Sequence, residues 1–270
     1  MPVADPRSLR RRLKQVLVHT SRASPATGAS LLIYHRIGGG TPDELDLPTA
    51  AFERQLDLLA GHDVVPLDTA LDRLDEGDTR PSVVLTFDDG FDDVHAHAWP
   101  LLRERGLPFT VYLASGFVGE TMVWEGSTAK GRAGRGMTWD QLGELVASGL
   151  CTVGNHTHGH VRPEVLGEDD LDRCTEAVED HLGVTTRHFT YPWGIPVPSM
   201  EDALRARFRS ASTGRLGRNA PDTDRMRLAR VPVRQSDPIE FFAAKLTGGL
   251  GPERAYAAAV RLGKAAGLGR

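Results

Sequence analysis

Apolar positions along the 270 residues fall into short strand-like runs that alternate with stripes at helical spacing, nearly from end to end. Leu31 to His35 reads as a strand, Phe52, Leu56 and Leu59 mark a helix, and Val64 and Val65 precede a short helix that Asp68 is placed to cap. Further strands are expected at Val83 to Phe87, Phe109 to Leu113, Cys151 to Gly154, Phe189 to Tyr191, Phe208 to Ser212 and Leu228 to Val233. Helices are expected through Leu101 and Leu102, after Thr138, from Asp169 to His181 and over Met200 to Arg207, with terminal helices after Asp237. This alternation predicts a parallel sheet, open or closed into a barrel. No linker interrupts the series, so one α/β domain is expected.

Two segments stand outside the alternation. Leu9, Leu13, Val16 and Leu17 share one helical face beside Arg10, Arg11, Arg12 and Lys14. Such a helix either lies on a membrane surface or packs on the domain with its basic face solvated. The glycine-rich stretch 119–136, which contains Trp124, reads as a long surface loop, either functional beside a barrel mouth or a plain excursion. The organisation expected is a basic helical extension over 1–29, a core domain over 30–236 and a helical extension over 237–270.

Composition changes this picture only at its edges. A hydrophobic fraction of 40% with 25% charged residues is that of a globular chain and excludes wholesale disorder. No apolar run approaches the roughly 20 residues of a membrane span, and Met1 to Thr20 lacks a signal-peptide core, so a cytoplasmic chain is expected. Cys151 and Cys174 read as buried thiols, not a disulfide framework. The net charge of -4 conceals 7 basic and 1 acidic residues over 1–36, 11 and 28 over 37–200, and 14 and 7 over 201–270. Few aromatics accompany the basic ends, which argues against a nucleic-acid partner and leaves an anionic lipid surface as their candidate contact.

The chemistry gathers at strand ends. The run Val83 to Phe87 ends in Asp88, Asp89 and Gly90, two adjacent carboxylates where parallel α/β folds collect active sites. Neighbouring acids repel unless a cation or a proton separates their roles. One of the two is then a metal ligand; the plainer reading makes both of them caps of the helix near Asp92, a part that Asp92 and Asp93 fit better. After the next-but-one strand come His156, Thr157, His158, Gly159 and His160. His156 and His160 stand at i and i+4, so one helical turn would aim both at a single ion, and with Asp89 they make a set suited to zinc or another divalent ion with open positions. A third piece, Thr190, Tyr191, Pro192, Trp193 and Gly194, is a strand running into a turn, from which a backbone amide can donate to a developing oxyanion.

In this order the three pieces resemble the polysaccharide deacetylases with a NodB-type domain, carbohydrate esterase family 4, from about Leu31 to Val233. Thr86 to Gly90 matches the family's first motif and His156 to His160 its second. The resemblance implies a distorted (β/α) barrel in a single domain and metal-dependent removal of an N-acetyl group from an amino sugar or glycoconjugate. It implies Asp88 as base, and Asp89, His156 and His160 as ligands of a divalent ion, Zn2+ first, with Co2+ or Ni2+ as alternatives. Two departures bear on the site. Thr190 stands where the family carries the arginine that orients the base, leaving Arg230 or Arg234 as substitutes. The late motif that supplies the general acid is absent, since no histidine follows His188. Ile33, Tyr34, His35, Arg36 and Ile37 resemble the start of circularly permuted poly-N-acetylglucosamine deacetylases, which implies His35 as the acid; a satisfied core histidine is the other reading. Tyr191, Pro192, Trp193 and Trp124 are the candidate substrate-binding and oxyanion residues. Rival functions are an amidase acting on a non-carbohydrate amide, an iron oxygenase with the same ligand types, and a glycan-binding relative without activity.

Overall fold

The computed structural model describes residues 6–19, 26–124, 133–248 and 250–265. Its strands are β1 (Ala29–Tyr34), β2 (Arg36–Ile37), β3 (Asp46–Leu47), β4 (Ser82–Asp89), β5 (Phe109–Leu113), β6 (Cys151–Asn155), β7 (His188–Thr190), β8 (Ser210–Leu216) and β9 (Leu228–Pro232). Seven of them close a barrel in the order β1, β4, β5, β6, β7, β8, β9, every neighbouring pair is parallel, and β9 returns to β1. β2 and β3 form a small separate ribbon just beyond β1. All eight residues of β4 are buried, as its unbroken apolar run requires of a strand covered on both sides.

The α-helices among the described residues are α1 (Pro6–His19), α2 (Thr49–Leu59), α3 (Leu67–Asp75), α4 (Trp99–Arg105), α5 (Trp139–Ala147), α6 (Glu168–Leu182), α7 (Glu201–Arg207), α8 (Ile239–Leu246) and α9 (Gly251–Ala265). The strand alternation sets the layers. Tyr34 and Phe87, stacked at 5.3 Å, meet Phe52 of α2 outside the barrel, while their neighbours Ile33 and Asp88 line its mouth. The expected cap at Thr138 is present: its hydroxyl accepts from the Gln141 amide, and the Gln141 side chain accepts from the Thr138 amide.

Three expectations need correction. Asp68 does not cap α3, because Pro66 holds that position; its carboxylate instead pairs with Arg187 and Arg209 and lies 3.4 Å from His188. Asp93, expected as a cap, makes no cap hydrogen bond and takes the Arg36 side chain at 2.7 Å. In α1 the basic face is solvated at Arg10, Arg11 and Arg12 but not at Lys14, which is fully buried, while Leu9 and Val16 of the apolar stripe are 66% and 60% exposed. Residues 125–132 of the glycine-rich stretch lie outside the described residues. Its flanks pair, Thr121 with Arg135 and Phe91 with Gly136, both antiparallel, which brings Trp124 back over the barrel mouth. Among the described residues no helix is long and apolar enough to cross a membrane.

Candidate active site

At the carboxyl end of the barrel lies a cavity of about 290 Å³, lined among others by His35, Asp88, Asp89, His156, His160, Trp124, Trp193 and Arg230. Asp89 comes from the last residue of β4, and His156 and His160 from the loop after β6. The His156 and His160 Nε2 atoms stand 3.3 and 3.4 Å from the same Asp89 Oδ1, and one donor atom from each residue falls within 4.8 Å of the others. The expected helical turn between the histidines is not there. Thr157 and His160 adopt left-handed φ values of 67° and 47°, and that loop aims the two rings instead.

Strain concentrates here. Among the described residues four that are not glycine have positive φ: Asp89, Thr157, His160 and Trp193. Each costs of order 1–3 kcal/mol and persists only where its surroundings over-determine it. At Asp89 the reason is plain. In a regular strand Asp88 and Asp89 would face opposite sides, and the φ of 73° turns the second carboxylate back into the cavity. At Trp193 the turn is tight enough that a Cβ on the next residue, Gly194, would stand 2.7 Å from the Gly214 backbone.

The second carboxylate has a different set of neighbours. Asp88 Oδ1 accepts from the Arg230 guanidinium at 2.7 Å, and Arg230 Nε donates to the Thr213 carbonyl at 3.1 Å. His35 Nε2 lies 4.0 Å from Asp88 Oδ2. Burial alone would raise the Asp88 pKa, but Arg230, then His35 and His156, outweigh it and hold the carboxyl below its usual range. Asp89 is held further down, its burial outweighed by the adjacent imidazoles of His156 and His160. His156 shifts upward, Asp89 and Asp88 overcoming the effect of burial, while its Nδ1 lies 2.8 Å from the Thr190 carbonyl. That carbonyl fixes the Nδ1-protonated tautomer and leaves Nε2 as the free donor atom.

The family model described as "Polysaccharide deacetylase" matches residues 75–208. IcaB from Ammonifex degensii is 31% identical, with a TM-score of 0.71 over 83% of this chain and 99% of that one. The chain belongs to the polysaccharide deacetylase family. The deacetylase PplD of Streptococcus pyogenes shares the fold at 19% identity, with a TM-score of 0.69 over 83% of this chain and 99% of that one. YxkH of Bacillus subtilis, assigned to the polysaccharide deacetylases, is 27% identical over 139 residues, 48% of this chain and 43% of its own length. This chain therefore matches less than half of that curated relative.

The family model's match stops short of both ends of the candidate site, since His35 precedes it and Arg230 follows it. Barrel closure of β9 onto β1 brings these two to Asp88. Arg234, the other candidate partner, pairs with Glu253 away from the cavity. Trp124 and Trp193 flank His160, with ring centroids at 4.2 and 5.5 Å. Tyr191 and Pro192 do not join the cavity lining. The Tyr191 ring is buried against Phe189 among Met200, Leu204 and Phe208, because the residue after β7 turns its side chain outward. Unforeseen in the sequence are Thr41, Asp43 and Leu45, which line the cavity from the excursion between β2 and β3, and Arg36, whose guanidinium lies 4.8 Å over the Phe91 ring. The only sequence signal for these was the adjacency of Arg36 to His35.

Proposed function

We propose that this polysaccharide deacetylase relative is a metal-dependent hydrolase that removes an N-acetyl group from an amino sugar or glycoconjugate. The observation that carries the reading is the separation of two buried carboxylates into two environments: Asp89 against two imidazoles, Asp88 against a guanidinium. The donor set fits a divalent ion. Two imidazole nitrogens and a carboxylate oxygen converge, and the buried Asp89 Oδ1 has no hydrogen-bond partner. Asp89, His156 and His160 would hold the ion, Zn2+ in the first place, with Co2+ or Ni2+ as alternatives. When bound, it supplies Lewis-acid chemistry, polarising an amide carbonyl and making water more acidic.

The rest falls to the chain's own residues. Asp88, kept ionised and oriented by Arg230, takes the proton from the attacking water. The backbone amide of Trp193, in its left-handed turn, donates to the oxygen on which charge develops. His35, 4.0 Å from Asp88 on the cavity wall, gives a proton to the departing nitrogen, without which an amine leaves poorly. Trp124 and Trp193 offer flat apolar faces to a sugar ring. The exposed Leu9, Leu13 and Val16 of α1, beside Arg11 and Arg12, are the proposed contact with an anionic lipid surface.

Purified protein with zinc, cobalt or nickel is tested for acetate release from N-acetyl sugars, their conjugates and simple non-carbohydrate amides. Release from the sugars alone is expected, abolished in His156→Ala together with the bound metal. Asp88→Asn should retain metal and lose about two to four orders of magnitude in rate, the range of general-base catalysis. Preferential turnover of non-carbohydrate amides would overturn the substrate class, and a metal-free but folded Asp88→Asn would move Asp88 into the ligand set.

A further inference from the structure

One wall of the cavity is held from outside the barrel. Thr41, Asp43 and Leu45 belong to the excursion between β2 and β3, which has little apolar core of its own: its turns are made by Asp46 accepting from the Gly39 and Thr41 amides and Asp43 from the Leu45 amide. The excursion is fastened to residues 235 and 236, just past β9. The Gln235 amide donates to the Glu44 carbonyl at 2.7 Å, and its side chain donates to the carbonyls of Thr41 at 3.1 Å and Asp46 at 2.7 Å. The Ser236 hydroxyl donates to Glu44 Oε2 at 2.6 Å.

That fastening is itself gripped by α1. Lys14 Nζ donates to the Ser236 hydroxyl at 2.7 Å and to Asp237 Oδ1 at 2.5 Å, and Arg10 pairs with Glu44 at 2.9 Å. Lys245 of α8 takes the other Asp237 oxygen at 2.6 Å and Glu253 of α9 at 3.0 Å. The side chains of Lys14 and Asp237 are fully buried, and Lys14 also lies 4.3 Å over the Tyr256 ring. Buried charge pairs are costly to form and specific in geometry, so they fix one arrangement. Three of the four residues in the apolar stripe of α1, Leu9, Leu13 and Val16, are exposed, and only Leu17 is half-buried. Apolar burial therefore contributes little to its docking, and the polar anchors decide it.

We propose that Lys14 is a positioning residue for substrate binding, acting through Ser236 and Glu44 so that docking of the N-terminal helix sets the cavity wall formed by Thr41, Asp43 and Leu45. The inference rests on the reading of the cavity as the substrate site. It makes α1 part of the binding apparatus although none of its described residues lines the cavity. Lys14 touches none of the residues proposed for chemistry or metal binding, so its loss acts on KM and leaves the chemical step alone.

The test combines amide hydrogen exchange with steady-state kinetics on the full-length metal-loaded protein, for Lys14→Met and for Ser236→Ala. The second variant removes the relay hydroxyl without stranding a buried charge, and it carries the test if Lys14→Met does not fold. Exchange of the amides at 39–46 should quicken by about tenfold or more, as expected when local anchoring bonds are lost. KM for the best N-acetyl sugar substrate should rise several-fold with kcat within about a factor of two and metal content unchanged. Lys14→Arg, which keeps the charge, should restore part of the KM. Unchanged exchange at 39–46 in Ser236→Ala overturns the mechanical link, whatever the enzyme acts on. Faster exchange with unchanged KM overturns the role of this wall in binding. Absence of turnover on any sugar by the unmodified protein would count against the proposed function, and the exchange measurement still decides the link.

Discussion

Replacing Arg230 with Met isolates what holds Asp88. The pair spans 2.7 Å with side-chain exposures of 2% and 4%, so the substitution leaves a buried carboxylate facing His35 and His156 alone. Breaking a buried pair by removing one partner costs about 3–5 kcal/mol. If about 3 kcal/mol of that is the preference of the site for the ionised carboxyl, the Asp88 pKa rises by roughly 2 units at 1.36 kcal/mol per unit. The sign follows. A base whose pKa has risen is protonated over a wider acid range, so the acid limb of kcat/KM should move up by about 2 pH units, with activity recovering as pH increases. The stability loss should likewise be largest at neutral and alkaline pH and smallest at acid pH, where protonation relieves the stranded charge. Urea unfolding and pH profiles of Arg230→Met, Asp88→Asn and the double variant measure both effects. The double variant should cost less than the sum of the singles, since neither partner is then left charged and alone. An unshifted acid limb together with additive stabilities would refute the assignment of Arg230 as the group that keeps Asp88 ionised.

Three further outcomes are expected. His35→Ala should slow N-acetyl sugar hydrolysis by about 100-fold or more in kcat while sparing an activated aryl ester, which needs no proton to depart; equal losses on both would remove the acid role. Asp68 is held well below the usual carboxylate range by the His188 imidazole 3.4 Å away, with Arg209 and Arg187 adding to it, so its contribution to stability is present above that range and lost as pH falls through it. Asp68→Asn should therefore flatten the acid side of the stability curve, and urea melts from pH 3 to 7 that match the parent protein would contradict this. Tyr191→Phe should leave KM unchanged and stability equal or higher, because the buried Tyr191 hydroxyl has no hydrogen-bond partner among the described residues; a raised KM would return Tyr191 to the substrate site.

Much of the molecule was legible in one dimension because its signals are local. Strand runs such as Val83 to Phe87 are written in apolar residues that must be buried on both faces, and Thr138 with Gln141 carries its capping box within four positions. Asp88 with Asp89, and His156 with His160, were legible as chemistry because each cluster sits at or just past the end of an apolar strand, where a parallel barrel opens. What the chain order hides is anything made by closure. The pairing of β9 with β1 brings Arg230 and His35 to Asp88 from opposite ends of the sequence, and local spacing could not choose between Arg230 and Arg234. Periodicity also misassigned side chains whose direction depends on backbone bends: the histidine loop is left-handed where spacing suggested a helix turn, and Tyr191 turns to the core. In α1 the apolar stripe marked a face but not which way it points, because burial of Lys14 against Asp237 is a contact across 223 positions. The sequence alone determined the alternating elements and the chemical types available at the strand ends. The tertiary structure decided which of those groups meet, because ion pairing, ligand convergence and loop anchoring act over a few ångströms in space and leave no period along the chain.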